Sequence, residues 1–348
     1  MSAARSSNGH AQLGSFPAAV EREPPRAPRS YHGQPVIKEP IWHPEIPWYF
    51  FTGGLGGASA GLAWLAELRG NDVLARRAWI GAFVGTNVSP ILLINDLGRP
   101  LRFLYMLRMF KVTSPMSVGS WVLVTSGGAA SAAALDALLP PVPRRWRTLL
   151  RLAAVPARPT AAMAGLPLAT YTGALIAQTA VPVWHEARRE LPALFAAGAA
   201  ASAGAFATAL TPVADAAPAR RLALMGSMAE LALVALMEHR LDELAEPYHQ
   251  ETAAAYAQLA RGLTVAGSLL LASRAARSRP AAIVGGALVL AGAVCERWSV
   301  FKAGFQSARD PKYTVGPQRR RIDGGLTRGA SRRVVAAAAR AAGRARSA

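Results

Sequence analysis

Cysteine is almost absent from this sequence of 348 residues, since Cys295 is its only thiol. A single thiol cannot form a disulfide within the chain, and it cannot supply the several cysteines that hold an iron–sulfur cluster. The sequence therefore predicts a chain without an internal disulfide and without an iron–sulfur cluster of its own. No other group of residues predicts a metal site.

Histidine is absent from the interior of the long apolar segments. The six histidines lie in the tails or at the ends of those segments: His10, His32, His43, His185, His239 and His249. Membrane cytochromes hold haem through axial ligands, usually histidines, inside their helices. We therefore expect no haem in this chain.

Charged residues are scarce as well. They make up 17% of the chain, against 52% for hydrophobic residues, and the mean hydropathy is +0.20. Basic residues outnumber acidic ones by 39 to 20, an excess that can indicate a nucleic-acid partner. Here the basic residues lie in loops and tails, without a known nucleic-acid-binding motif. They predict the basic rim of a membrane protein, surrounded by lipid and not bound to nucleic acid.

The two ends of the chain lack long apolar segments. Residues 1–45 are rich in proline, arginine, serine and glutamate, and no cleavable or twin-arginine signal is recognisable among them. Residues 303–348 are strongly basic. We predict that both ends are largely disordered tails. The membrane domain is predicted to cover residues 46–302.

Apolar segments of about 20 residues, the length that crosses a bilayer as a helix, are abundant. The predicted spans are 46–66, 78–95, 118–138, 161–183, 191–211, 219–238, 258–274 and 281–301. Small residues enrich the first, third and fifth spans, which favours close helix packing. The fold prediction is an all-α integral membrane protein, a polytopic bundle of about eight transmembrane helices, in the inner (cytoplasmic) membrane of the cell.

An even number of spans places both tails on one side of the membrane, which we call face A; the opposite side is face B. The connecting loops carry 13 basic residues at face B and 8 at face A. The positive-inside rule therefore predicts that face B is cytoplasmic. The basic carboxyl-terminal tail favours the opposite orientation.

The connection from residue 95 to residue 121 is a long polar stretch between two uncharged spans. It contains Asp96 and Arg99, and Gly98 and Pro100 interrupt the helix around them. A carboxylate and a guanidinium on irregular backbone at the edge of the bilayer are suited to contact a ligand. This connection is the first candidate for a binding site.

Further candidate binding residues are predicted at face A, on the same side of the membrane as that connection. His43, Trp48 and Tyr49 lie at the start of the first span, and Tyr171 lies in the fourth. A quinone site needs an apolar slot with a few hydrogen-bond donors and a proton relay. The alternative for Tyr171 is a hydrogen bond to a helix carbonyl, which is the commoner role of a phenol within a span.

Few charged residues fall within the predicted spans away from their outermost turns, and Glu230, Glu296 and Arg297 are the ones selected here. Ionisable groups inside a membrane are costly and face the bundle or a wet cavity. We predict that these residues, with Asp96, transfer protons. The alternatives are a simple hydrogen bond to a neighbouring helix for Glu230, and an ion pair near the surface for Glu296 and Arg297.

Several stretches resemble the NrfD or polysulfide-reductase family of membrane subunits. They are PWYFFTGGLGGASAG (47–61), LINDLGRPLRFLYMLRMFKVTSPMSVGSW (93–121), YTGALIAQTAVPVWH (171–185), LPALF (191–195) and ERWSVFKAGFQSARDPKYTVGPQRRR (296–321). The resemblance implies an eight-helix subunit without haem that exchanges electrons with menaquinone or ubiquinone. It also implies two partners, a ferredoxin-like [4Fe-4S] subunit and a molybdopterin or tungstopterin catalytic subunit.

The resemblance assigns the candidate residues at face A to a quinone pocket: His43, Trp48, Tyr49, Asp96, Arg99 and Tyr171. The expected function is a quinone-binding membrane anchor in anaerobic respiration, as part of a formate dehydrogenase or of a sulfur-compound reductase. Two other interpretations of the function remain open. One is a secondary transporter or channel without a redox role, and the other is an anchor that tethers soluble subunits and binds no quinone.

Overall fold

The computed structural model describes residues 36–139 and 143–323, with side chains described up to residue 320. Within these ranges the chain is helical and contains no strand. The predicted disorder of residues 1–35 and 324–348 lies outside the described residues. Residues 36–44 are not helical, whereas the described part of the predicted carboxyl-terminal tail, 303–323, is largely helical.

Eight helices of 20 or more residues form the described part of the chain. They are α1 (Glu45–Leu68), α2 (Asp72–Asp96), α4 (Pro115–Leu138), α5 (Arg144–Ala177), α7 (Leu191–Leu210), α8 (Ala217–Leu241), α9 (Glu251–Ser273) and α10 (Arg279–Arg309). Shorter helices connect or follow them: α3 (Phe103–Met106), α6 (Pro182–Glu186), α11 (Lys312–Asp323) and the 3₁₀ turns Pro100–Arg102 and Asp242–His249.

Six of the described helices are long and apolar enough to cross a membrane: α2, α4, α5, α7, α8 with the 3₁₀ turn after it, and α10. The chain is therefore a multi-pass helical membrane protein. The other two long helices, α1 and α9, are not among these six. Helix α1 contains five glycines, and α9 contains Gln258 and Arg261.

The long helices pack in two groups of four. Helices α1, α2, α4 and α5 form the first group, and α7, α8, α9 and α10 form the second. The groups meet where α7 packs against α1 and α5. Polar contacts connect the helix ends at each face. At face B, Asn71 donates a hydrogen bond to the carbonyl of Asp215 at 3.0 Å. At face A, Arg309 donates one to Glu39 at 2.8 Å, so the two described ends of the chain lie together there.

The fourth predicted span differs most from the structure. Residues 144–158 were predicted as a loop because they carry five arginines, but they form the first part of α5. Arginine is a good helix former, so a basic segment can extend a helix beyond the bilayer. With 34 residues, α5 is about 51 Å long, against about 30 Å for the hydrocarbon core. Its first turns therefore project from the bilayer at face B.

Glycines let the backbones of the first group approach closely. A Cβ atom added at Gly56 would lie 2.6 Å from the Thr86 amide nitrogen on α2, and one at Gly57 would overlap the carbonyl oxygen of Gly165 on α5. Such contacts favour helix association in lipid, where the hydrophobic effect contributes little. Helix α1 thus packs against two neighbours through glycine.

Replacing Gly57 with alanine is expected to lower the free energy of unfolding by about 1–3 kcal/mol, because the Gly165 backbone cannot move away as a side chain could. Gly61→Ala is the matched control, since a Cβ there meets no atom within 4 Å. Thermal unfolding of both variants in mild detergent measures the difference. Equal unfolding temperatures would show that the α1–α5 contact does not depend on glycine.

Candidate functional site

A histidine and a carboxylate form the polar centre of the candidate site at face A. The backbone amide of His43 donates a hydrogen bond to Asp96 Oδ1 at 2.9 Å, and the imidazole Nδ1 lies 3.0 Å from the same oxygen. Asp96 is the last residue of α2, where the helix dipole disfavours a negative charge. The contacts with His43 offset that cost. They also join the segment before α1 to the end of α2.

Glu45 extends this pair into a group of three. Donor atoms of His43, Glu45 and Asp96 lie within 4.8 Å of one another, and Glu45 Oε2 is buried without a hydrogen-bond partner among the described residues. Nitrogen and carboxylate oxygen are donors that divalent cations accept. However, the His43 side chain is 63% exposed and already bonded to Asp96. The group is therefore polar and accessible to water, which suits it to exchange protons.

Tyr171 lies in the last turns of α5, towards the same face. Its hydroxyl donates a hydrogen bond to the carbonyl of Pro115 at 2.7 Å, and its ring packs directly on Gly119 of α4. The structure thus shows the helix-carbonyl bond that the sequence offered as the alternative role of this phenol. The side chain is only half-buried, and its oxygen keeps lone pairs that can accept a hydrogen bond.

The remaining predicted site residues differ in their surroundings. Tyr49, on α1, is buried in the hydrophobic core of the protein, whereas its neighbour Trp48 is 43% exposed. Arg99 is exposed in the connection after α2. It forms no ion pair within the described residues, so the partner of Asp96 is His43 and not Arg99. In the described part of the chain, no hydrogen bond joins the His43 pair to Tyr171.

An apolar cleft of about 450 Å³ lies between α4 and α5. It is lined by Phe110, Val118, Trp121, Val122, Thr125 and Ala164. Tyr171 is two turns along α5 from Ala164, and Gly119, on which its ring packs, is next to Val118. Tyr171 itself does not line the cleft. The sequence analysis did not select its lining residues, although an aromatic residue at the start of a span is a usable signal.

Glu230, Glu296 and Arg297 meet in the second group of helices. Arg297 Nη1 lies 3.7 Å from Glu230 Oε1, and Arg297 Nη2 donates a hydrogen bond to the Phe195 carbonyl at 3.2 Å. Glu230, Glu296 and Arg297 are exposed by 5% or less. The alternative for Glu296 and Arg297 was an ion pair near the surface, whereas Arg297 pairs with Glu230, between α8 and α10, and the pair is buried. Glu230 Oε1 and Arg297 Nε lack hydrogen-bond partners among the described residues.

Further ionisable groups connect this buried pair to face A. Glu296 lies within electrostatic range of Glu238, which forms an ion pair with Arg261. Tyr248 is buried within range of both acids, and its hydroxyl has no hydrogen-bond partner among the described residues. The series thus runs from the middle of α8 to the face A surface. Sequence reasoning did not select Glu238, Tyr248 and Arg261, which lie at the end of the sixth predicted span, in the loop after it and near the start of the seventh.

Phe195 lies between the two sites. Its ring is 5.6 Å from that of Phe50 on α1, and the Arg297 guanidinium lies 4.1 Å above it. Tyr49 precedes Phe50, with the two ring centroids 6.1 Å apart. The first group of helices is therefore in packing contact with the buried ionic group of the second.

Together, these features define a polytopic helical membrane protein with a polar centre and an apolar cleft at one end. A family model described as polysulfide reductase, of the NrfD type, matches residues 30–309. The chain belongs to this family, whose members are membrane subunits of redox complexes and generally partner with iron–sulfur subunits. A search of curated proteins finds no match.

Proposed function

We propose that this chain is the quinone-binding membrane anchor of an iron–sulfur/molybdopterin oxidoreductase in the inner (cytoplasmic) membrane. All eight long helices cross the bilayer, and the chain exchanges electrons between a docked [4Fe-4S] subunit and the quinone pool. One observation carries the proposal. The apolar cleft between α4 and α5 lies in the same four-helix group, and towards the same face, as the His43–Asp96 pair, and Tyr171 lies two turns along α5 from the lining residue Ala164.

The residues present fit menaquinone or ubiquinone. A volume of about 450 Å³ lies within the range of small-molecule sites. Val118, Val122 and Trp121 would hold an apolar ring or tail, and the quinone would extend from the cleft along α5 towards Tyr171. The quinone, when bound, supplies the two-electron and two-proton chemistry. The chain itself contributes binding, orientation and proton exchange.

The His43–Asp96 pair exchanges protons with water at face A. The imidazole and the carboxylate can hold a proton between Nδ1 and Oδ1, and the exposed edge of His43 can exchange it with water. The hydrogen bond to the Pro115 carbonyl fixes the orientation of the Tyr171 hydroxyl. The Tyr171 oxygen is therefore held in one position, where it can accept a hydrogen bond from a bound ligand.

The buried ionic group has a second role in the proposal. Glu230 binds and releases a proton in the middle of the membrane, Arg297 stabilises its charged form, and Glu296 connects Glu230 to face A through Tyr248 and Glu238. Partly satisfied charges at this depth support a functional role, because a purely structural core would gain by replacing them with apolar side chains.

The connection between α2 and α4 is the proposed contact for the iron–sulfur subunit. Leu101 and Val112 are exposed there by 79% and 76%. Arg99 and Lys111 add positive charge on the same segment. An apolar surface with basic neighbours suits a protein partner with an acidic rim. The catalytic partner is a molybdopterin or tungstopterin enzyme, either a formate dehydrogenase or a sulfur-compound reductase, and mass spectrometry of the purified complex tests its identity.

Tyr171→Phe tests the quinone role of this residue. Phenylalanine keeps the ring on Gly119 but removes the hydroxyl, so we expect quinone-linked turnover of the purified complex to fall about tenfold while its subunits stay assembled. Tyr256→Phe is the matched control, because Tyr256 lies on α9 in the second helix group, outside the cleft, where its ring stacks on Trp298. Unchanged turnover in Tyr171→Phe would exclude the phenol from quinone binding.

Quinone extraction from the same preparation distinguishes the proposed quinone-binding anchor from the two alternative functions. A quinone-binding anchor retains about one quinone per complex and responds to quinone-site inhibitors. An anchor that only tethers soluble subunits retains none above the lipid background and shows no response to these inhibitors. A secondary transporter or channel would purify without redox subunits.

A further inference from the structure

A cavity of about 540 Å³ lies at face B, at the other end of the first helix group from the candidate quinone site. The ends of α1 and α4 and the starts of α2 and α5 line it. On one side of the cavity, Arg158 forms ion pairs with two acids. Its Nε lies 3.3 Å from Glu67 Oε2, and its Nη2 lies 2.7 Å from Asp136 Oδ2. Trp79 donates a further hydrogen bond to Glu67. One arginine thus neutralises two of the acids in the lining.

Three other arginines in the lining have no ion-pair partner among the described residues. Arg147 and Arg151 lie one turn apart on α5, and Arg76 lies on α2. Like charges at this spacing repel each other, and the positive end of the helix dipole adds to the repulsion. The first turn of α5 has no acidic residue. Asp72, the remaining acid of the lining, lies in the first turn of α2, where the helix dipole stabilises it.

The depth of these arginines matches that of lipid headgroups. The first turns of α5 extend past the hydrocarbon core at face B, and Leu149, Leu152 and Val155 are exposed on the same part of the helix. Exposed apolar side chains beside a basic cavity provide a surface for acyl chains next to a site for an anion. Arginine binds phosphate oxygens in a bidentate manner.

We infer that this cavity binds the phosphate group of an anionic phospholipid, through Arg147 and Arg151 with Arg76 on the opposite wall. Basic pockets between membrane helices bind such headgroups. Free phosphate has the same chemistry at the arginines. The lipid is favoured because apolar side chains are exposed beside the cavity. The site is independent of the quinone proposal, since it requires only that the chain spans the membrane.

The test compares two double variants of the full-length protein, purified with its native partners in mild detergent. Arg147→Gln with Arg151→Gln removes two charges from the cavity. Arg144→Gln with Arg145→Gln removes two charges from the same end of α5 outside the lining. Phospholipid retained by each preparation is measured by native mass spectrometry and lipid extraction. Each preparation is then delipidated, and unfolding is followed with added phosphatidylglycerol, phosphatidylcholine or inorganic phosphate.

We expect the wild type and the outer double variant to retain anionic phospholipid and to be stabilised by phosphatidylglycerol but not by phosphatidylcholine. The cavity double variant should retain at least tenfold less, and Arg147→Lys with Arg151→Lys should recover most of the retention because the charge is restored. Equal retention in the two glutamine variants would overturn the proposal. Stabilisation by inorganic phosphate alone, with the same arginine dependence, would overturn its assignment to a lipid. If the cavity variant does not fold, loss of retention in the lysine variant would overturn the proposal.

Discussion

Replacing Arg297 with glutamine is expected to lower the free energy of unfolding by about 3–5 kcal/mol, because it leaves a buried carboxylate without its counter-charge. Arg297 is 2% exposed and Glu230 is 3% exposed, so water cannot replace the lost partner. The guanidinium also bonds the Phe195 carbonyl and lies over its ring. The substitution therefore removes an ion pair, a hydrogen bond and a cation–π contact together.

A second substitution separates the charge effect from the packing effect. Glu230→Gln in the Arg297→Gln background should recover part of the lost stability, because neither side chain then carries a buried charge. Arg261→Gln is the control for removing an arginine from a half-exposed ion pair, and we expect a change of about 1 kcal/mol or less. Unfolding in detergent by heat or denaturant measures all four proteins. A small effect of Arg297→Gln, equal to that of Arg261→Gln, would contradict the buried ion pair.

Asp96→Asn is expected to reduce quinone-linked turnover by about 100-fold, since an acid–base group typically contributes a factor of this size or more. Asparagine can still accept the hydrogen bond from the His43 amide, so the helix end should keep its structure. It cannot share a proton with the imidazole. The measurement is turnover of the purified complex with a soluble quinone, together with the ratio of its subunits.

The control for this substitution is Asp242→Asn. Asp242 is an exposed acid at the same face, and its positive φ of 52° is a conformation that asparagine tolerates. We expect its turnover to equal that of the wild type. His43→Gln should resemble Asp96→Asn, because either variant removes the shared proton. Normal turnover in Asp96→Asn would exclude the His43–Asp96 pair from the proton exchange that we propose.

The long helices could be predicted from the sequence because an uncharged stretch of the right length has few alternatives. Helix α7 was predicted at 191–211 and is observed at Leu191–Leu210, and α4 differs from its prediction only at the start. Helix α5 could not be predicted in full, because hydropathy indicates only the part of a helix that is embedded in lipid. Its arginine-rich beginning is helical but projects beyond the lipid.

The sequence predicted individual residues of the candidate site but not the contacts between them. Asp96 was grouped with Arg99, its neighbour in sequence, whereas the contact is with His43, which is 53 positions away. Glu230 and Arg297 were both recognised as charges within spans, but their contact depends on how α8 and α10 are arranged. Hydropathy carries no information about which helices are neighbours. The position of the cleft between α4 and α5 depends on the same arrangement.

Labelling with a photoreactive quinone analogue tests the central claim most directly. The purified complex is placed in lipid vesicles, irradiated with the analogue and digested, and the labelled peptides are identified by mass spectrometry. We expect adducts within residues 110–125 and 164–171, on both sides of the cleft, and we expect excess natural quinone to suppress them. Adducts confined to α8, α9 and α10, or labelling that natural quinone does not suppress, would contradict a quinone site beside Tyr171.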